Sequence, residues 1–313
     1  MSVPANAVAS RPLPVWRSML FVPATRERFV ESALKQAADA LQIDLEDSVA
    51  PADKARAREL APGIAQRFAQ AGFDVIVRVN RPWRMLLADL EAVVAPAVAA
   101  VTLPKVPEAG FVRAVAEVLD ELERERGMAS GHTRLVVMIE SPEGLAQVDA
   151  IAAAHPRVVG LIVGAEDLAL TMNMAVDEEA LLLPNQLAVL AARRAGVLPL
   201  GFVGSVADYA DLGAFRARIR RARKLGFDGG FCVHPSQVAV MNEEYAPAPD
   251  AVVHARALVA EFERQRAAGV AAFAFEGRMV DLPVVEQARE LLARAAAVEA
   301  RSARAAARQL AGG

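Results

Sequence analysis

The sequence predicts an α/β fold, a (β/α)8 TIM barrel with a C-terminal helical appendix, and three observations carry that prediction. Short apolar runs rich in β-branched residues, too short for helices, recur between stretches with helical spacing. Eight of them fall within about 230 residues, the count of a closed barrel. Polar residues on or just past these runs fall at their carboxyl ends, which a barrel gathers on one rim.

Taken in order, MLFV (19–22) is the first strand, and residues 26–38 have helical spacing. ADALQIDL (38–45) is the second, followed by a helix over 52–68 that Pro62 can interrupt and Gly72 closes. VIVRV (75–79) is the third, with a helix near 85–94. VAAVTLP (98–104) is the fourth, and its helix is the clearest: Phe111, Val115, Val118, Leu119 and Leu122 share one face. The fifth and sixth strands, 135–139 and 158–163, flank a helix over 144–154. A helix over 182–195 ends at Gly196 and VLPLGFV (197–203) is the seventh strand. A helix over 207–225 then ends at Gly226, before GGFCVH (229–234), the eighth strand. A doubly wound open sheet is the rival, but no G-x-G-x-x-G follows the first strand and no G-x-x-x-x-G-K occurs.

Residues 1–16 read as an N-terminal extension, 17–245 as the catalytic barrel and 246–313 as the appendix. APAPD (246–250) is a hinge, followed by a helix over 252–268 and a hairpin-like stretch over 271–283. A helix over 284–300 runs into an Ala/Arg tail expected to fray. So small and alanine-rich a piece is expected to pack over a barrel rim, its own or a neighbouring subunit's.

Composition narrows the class. A net charge of −3 gives no electrostatic reason to expect nucleic acid. A single cysteine, Cys232, excludes an internal disulfide and a cysteine-based zinc site. No apolar run approaches the roughly 18 residues of a membrane span. The first sixteen residues lack the order of a signal peptide, so a cytoplasmic location is expected.

The rim residues carry the chemistry. Asp44, Glu46 and Asp47 follow the second strand, Arg78 lies on the third, Lys105 follows the fourth, and His234 follows the eighth. Glu140 and Asp167 close the neighbouring fifth and sixth strands, an arrangement that presents oxygen ligands to a hard divalent cation. Each acid taken alone also reads as a helix cap. Arg78 can equally be an ion-pair partner of Glu46 or Asp47, and His234 reads as a structural rim histidine. The run RARIRRARK (216–224) reads as a solvated helix face in preference to a phosphate patch.

A set of motifs then resembles a known family. RSMLFVPA (17–24), DLEDSVAPADKARAR (44–58), VRVN (77–80) and LPKV (103–106) are followed by IESPEGL (139–145), GAEDL (164–168), LGFDGGFCVHPSQV (225–238) and GRMVDLP (277–283). In that order they resemble the citrate lyase β-subunit, malyl-CoA lyase and citramalyl-CoA lyase group of the HpcH/HpaI aldolase superfamily, over nearly the whole chain. The resemblance implies that Glu140 and Asp167 bind Mg²⁺, an ion that keeps several waters and needs only one or two protein carboxylates. It implies that Arg78 binds the 2-oxo acid with its planar fork, and the ion-pair reading is compatible with this, Glu46 and Asp47 then orienting the arginine. Asp281 falls on the family's appendix aspartate, an acid/base reaching in from a neighbouring subunit of a homotrimer or a multiple of one. Without the resemblance, Asp281 reads as an N-cap before Pro283.

Phe21 and Arg26, after the first strand, are candidate contacts to the CoA moiety, although an exposed helix-start arginine is the equal alternative. The backbone amides of Ala165, Glu166 and Asp167 are candidates to hold a substrate carboxylate at a helix mouth. Two departures from the family pattern, TMNM (171–174) and Gly230, are expected to reshape the pocket. The expected reaction cleaves or forms a 3-hydroxyacyl-CoA thioester such as malyl-, citramalyl- or citryl-CoA, giving acetyl-CoA and a 2-oxo acid. A Schiff base on Lys105 ranks below the metal mechanism. Thioester hydrolysis at the same site, or a β-subunit active only within a larger complex, are the alternatives.

Overall fold

The apolar runs are buried on both faces, the pattern of parallel strands covered by helices outside and packed against one another inside. In the computed structural model, which describes residues 12–207, 209–270 and 272–311, they form eight strands. These are β1 (Ser18–Pro23), β2 (Ala40–Asp44), β3 (Asp74–Arg78), β4 (Ala100–Leu103), β5 (Arg134–Ile139), β6 (Val158–Val163), β7 (Leu198–Leu200) and β8 (Gly230–Cys232). Their order is β7-β6-β5-β4-β3-β2-β1-β8, and all the pairings are parallel.

A bridge between Leu200 and Gly229 draws the ring shut. Beside it the Gly201 N–H donates to the Gly229 carbonyl at 2.7 Å, and the Asp228 N–H to the Pro199 carbonyl at 2.9 Å. Only glycine fits at residue 229, because a Cβ there would lie 1.8 Å from the Trp16 carbonyl oxygen. The expected eight-stranded barrel is the observed one.

Helices follow each strand: α1 (Glu27–Leu34), α2 (Lys54–Gln70), α3 (Trp83–Val93), α4 (Ala109–Glu125), α5 (Pro142–Ala146), α6 (Val148–Ala152), α7 (Ala165–Met172), α8 (Leu182–Ala195), α9 (Leu212–Lys224) and α10 (Pro235–Glu244). Alternate strand residues feed two cores. Leu41, Ile43, Val75 and Val77 face the helices, while Met19, Ala40, Ile76, Val136 and Phe231 fill the lumen. Trp16 also enters the lumen core and donates from Nε1 to Asp74 at 2.7 Å. Of the proposed N-terminal extension, residues 1–11 lie outside the described residues. Toward the carboxyl ends of the strands the lumen turns polar. Gln42 accepts from Thr102 Oγ1 at 2.5 Å, and Asp44, Arg78 and Glu140 are buried at the strand ends.

Several boundaries differ from the sequence reading. α2 runs unbroken through Pro62, because buried Ala57, Ala61, Ile64, Ala65 and Phe68 pin both halves and outweigh one missing hydrogen bond. The helix between β5 and β6 is two short helices, α5 and α6, meeting at Gln147. α9 starts five residues later than expected, at Leu212 rather than 207, where the Asp211 carboxylate accepts from the Ala214 N–H at 2.9 Å as its cap.

Residues 12–245 with 308–311 make one compact unit and 246–307 a second. The second unit contains α11 (Pro249–Ala267), a hairpin of β9 (Phe273–Phe275) and β10 (Arg278–Val280), and most of α12 (Leu282–Ala311). Glu276 and Gly277, both at positive φ (48° and 76°), make its two-residue turn. Leu258, Phe262, Val280 and Val285 form its small core. The tail expected to fray after residue 300 is helical to Ala311, as suits its alanine content. Among the described residues no helix is long and apolar enough to cross a membrane.

Candidate active site

Strand β2 ends on Asp44, and the parallel register sets Asp44 directly beside Arg78, the last residue of β3. The pair is bidentate: Arg78 Nε donates to Asp44 Oδ1 and Arg78 Nη2 to Asp44 Oδ2, both at 2.7 Å. Asp44 also accepts from the N–H groups of Glu46 (3.0 Å) and Ser48 (3.1 Å), which folds the DLEDS turn back over the mouth. Glu46 thereby reaches Arg78 Nη1 at 2.9 Å, whereas Asp47 stays 3.8 Å away. Arg78 is therefore oriented by the expected Glu46 together with Asp44, a bidentate partner the sequence reading does not include, while Asp47 lies farther off. Phe21 lies under the guanidinium, 4.8 Å from its carbon to the ring centre. One N–H on each terminal nitrogen of Arg78 is left for a ligand.

Across the mouth, β5 leads into Glu140 and β6 into Gly164. Neither acid caps a helix. Ser141 caps α5, its Oγ accepting from the Gly144 N–H at 3.2 Å, and Asp167 lies within the first turn of α7. Glu140 is 3% exposed and accepts the Lys105 N–H at 2.6 Å. Its carboxylate rests against Gly164, where a Cβ would sit 2.3 Å from Glu140 Oε1. Gly164 thus makes room for the acid, a role visible in the sequence only as the first letter of GAEDL. The Lys105 ammonium bridges the two sides, 2.7 Å from Glu46 Oε1, 3.6 Å from Asp47 and 3.5 Å from Asp167.

Phe21, Asp44, Asp47, Arg78, Glu140, Ala165, Glu166 and Asp167 all line one cavity of about 350 Å³, with Met138, Ile162, Phe202 and Phe231 as its apolar wall. Arg26 is exposed at the start of α1 and does not line it. Residues 171–174 close α7 and do not line it either. Gly230 does not itself line the cavity; a Cβ there would meet Met241 of α10 at 3.1 Å and the backbone of Gly201, which does line it, at 3.3 Å. His234 caps α10, its Nδ1 accepting from the Ser236 N–H at 3.2 Å, and stacks on Tyr209. The arginine-rich run is an ion-pair face: Arg216 bonds Glu243 and Glu244, Arg220 bonds Glu244, and Arg221 bonds Glu178. Asp281 directly precedes α12, its carbonyl accepting from the Val285 N–H at 3.2 Å.

The charges in the mouth are unevenly compensated. Burial pushes Glu140 up to about 7, opposed by the Lys105 N–H and reinforced by the Glu46 and Asp167 charges. Burial likewise raises Glu46, against the pull of Arg78 and Lys105. Burial would also raise Asp44, but the paired Arg78 hydrogen bonds hold it below the usual carboxylate range. Lys105 is driven the other way. Burial favours its neutral form, but the hydrogen bond to Glu46 and the Asp47 and Asp167 charges together keep the ammonium protonated.

That disposition tests the fit of a metal. Among the described residues no group of three or more His, Cys, Asp or Glu is placed to hold one, so a closed tetrahedral site is excluded. Two carboxylates opening on one cavity, one of them short of positive charge, fit a hard dication that retains its waters.

The comparisons with known proteins agree with the architecture. The profile of the HpcH/HpaI aldolase/citrate lyase family matches residues 17–235. An L-malyl-CoA/beta-methylmalyl-CoA lyase of Cereibacter sphaeroides is 34% identical, over 91% of this chain and 96% of its own. The citrate lyase subunit beta of Escherichia coli is 35% identical, over 89% and 93%. The protein CitE of Mycobacterium tuberculosis, solved in complex with magnesium, acetoacetate and coenzyme A, superposes with a TM-score of 0.68 at 32% identity, over 89% of this chain and 97% of its own. On that match and those identities, the chain belongs to the HpcH/HpaI aldolase/citrate lyase family and is an enzyme of the carbon–carbon lyase class.

Proposed function

We propose that this enzyme is a Mg²⁺-dependent lyase that cleaves, or in reverse forms, a 3-hydroxyacyl-CoA thioester with a distal carboxylate, such as malyl-, citramalyl- or citryl-CoA. The products are acetyl-CoA and a 2-oxo acid. The observation that carries the reading is the convergence of Glu140, Asp167 and Arg78 on one cavity. The relatives named as acyl-CoA lyases, and the CitE structure holding magnesium and coenzyme A, support it.

Glu140 and Asp167 would hold the ion, which when bound supplies Lewis-acid stabilisation of negative charge on the substrate oxygen. Arg78, fixed on two edges by Asp44 and Glu46, binds the oxo-acid portion with its remaining N–H groups. α7 begins at Ala165 with no side-chain cap, so the amides of Ala165, Glu166 and Asp167 can receive the substrate carboxylate. In cleavage the C3 hydroxyl releases its proton to solvent, the C2–C3 bond breaks as the new carbonyl forms, and the electron pair is left on the acetyl-CoA enolate, whose carbon must then receive a proton. Asp281 of a neighbouring subunit is assigned that proton, in a homotrimer or a multiple of one. A Schiff base at Lys105 is disfavoured, because its acidic neighbours keep the amine protonated.

The likeness to a protein named as a lyase subunit favours one second reading, a β-subunit active only with partner chains. One assay separates the two. The purified chain is given free malyl-CoA, citramalyl-CoA and citryl-CoA with and without Mg²⁺. Magnesium-dependent release of acetyl-CoA and a 2-oxo acid is expected. No turnover of any free thioester would favour the subunit reading, and free CoA in place of acetyl-CoA would identify a thioesterase.

A further inference from the structure

Lys105 touches both candidate metal ligands and Glu46, one of the two acids paired with Arg78. Its backbone sits in the left-handed region (φ 51°), a conformation that costs a side chain energy and that glycine would take freely. Both sides of the residue are pinned. Its N–H donates to Glu140 Oε2 at 2.6 Å, and its carbonyl accepts from Arg81 Nε at 3.2 Å. A lysine kept at such a position points to a use for the side chain.

We propose that Lys105 is a positioning residue that sets the metal affinity: its ammonium acts as counter-ion to Glu46 and competes with a divalent cation for Asp167. This inference rests on the reading of Glu140 and Asp167 as metal ligands. The distances define the competition. At 2.7 Å from Glu46 the ammonium makes a full hydrogen bond, while at 3.5 Å from Asp167 it makes a Coulombic contact without one. Asp167 can therefore turn to a dication while Lys105 stays on Glu46 and keeps that acid against Arg78. The other cation behind the turn, Lys54, is committed to the carbonyls of Leu45 and Glu46 and does not substitute for it. A fixed positive charge beside Asp167 holds the affinity of the free enzyme for the ion low, so that tight binding waits for substrate oxygens to complete the coordination.

The test is a calorimetric titration of Mg²⁺ into the substrate-free wild-type chain and into Lys105→Met, Lys105→Gly, Lys105→Arg and Asp167→Asn. Removing the ammonium should tighten Mg²⁺ binding at least about fivefold, and Lys105→Arg should stay near wild type. A purely structural lysine gives no route to tighter binding. Lys105→Gly also relieves the left-handed backbone, so it remains informative where Lys105→Met folds poorly. Equal or weaker Mg²⁺ binding in the neutral variants, with Asp167→Asn still losing the ion, would overturn this inference alone. An Asp167→Asn chain that binds Mg²⁺ like wild type would overturn the metal reading and this inference together.

Discussion

Two buried arginines lie at opposite ends of this barrel and are wired differently. Arg157, just before β6 at the amino end, donates to Glu123 Oε1 (2.8 Å) and Oε2 (2.6 Å), to the Thr133 carbonyl (2.8 Å) and to Asp120. Glu123 also accepts the N–H groups of Gly131 (2.8 Å) and Thr133 (2.7 Å), so both its oxygens are filled. Burial would raise Glu123, but those bonds hold it below its ordinary value. Arg78, at the carboxyl end of β3, is as well bonded, yet its surroundings hold Glu46 and Glu140, both pushed upward. The amino-end cluster pairs its charges internally through both terminal nitrogens of Arg157, leaving only the buried Nε of that arginine without a hydrogen-bond partner. The carboxyl-end cluster instead keeps surplus negative charge, with Glu46 and Glu140 both pushed upward, which supports the proposed cation site there.

The largest expected effect breaks the mouth cluster without disturbing the other. Glu140→Gln or Asp167→Asn should lower kcat by about 10³-fold or more, since Lewis-acid assistance is worth several kcal/mol. A thioester-cleavage assay on folded variants checks this, and turnover within a few-fold of wild type would count against it. Arg78→Lys keeps the charge and loses the fork, so kcat/KM should fall about 10²-fold, read in the same assay with the 2-oxo acid varied in the condensation direction.

Stability sharpens the comparison, because the same substitution should act oppositely at the two ends. Glu123→Gln leaves Arg157 short of its partner charge and should cost about 3 kcal/mol in urea unfolding. Glu140→Gln should instead stabilise the metal-free chain by about 1–3 kcal/mol at pH 8. The sign follows from the shift. Glu140 rises from 4.5 to about 7 on folding, so between those values the native state binds more protons than the unfolded one. The contribution of Glu140 to wild-type stability therefore falls as pH rises through that window and remains lowered above it, and the neutral glutamine escapes the loss. Unfolding at pH 5 and pH 8 should show the gap widening with pH, and a constant gap would contradict the assignment. Smallest of all, Arg220→Ala on the exposed face of α9 should leave the melting temperature and CoA-thioester turnover unchanged.

The barrel was legible because its signals are periodic: eight short apolar runs fix eight strands, and the face of Phe111, Val115, Leu119 and Leu122 fixes α4. Boundaries set by single contacts were not, as at Pro62, where tertiary packing overrides the breaker, or at Asp211, where one cap moves a helix start. In the site, the rim residues were readable as polar groups at strand ends. Their pairing was not, because Asp44 and Arg78 are 34 residues apart and meet only through strand register. The left-handed turn that aims Lys105 at both acids leaves no trace in residue type, and the space Gly164 leaves for Glu140 shows only as a glycine.

The most direct measurement is an anomalous difference map from crystals of the chain soaked with Mn²⁺ and pyruvate. The account predicts a peak within coordination distance of both the Glu140 and Asp167 carboxylates, lost in Asp167→Asn. No peak at those two acids in the wild-type enzyme, or one that persists undiminished in Asp167→Asn, would contradict it.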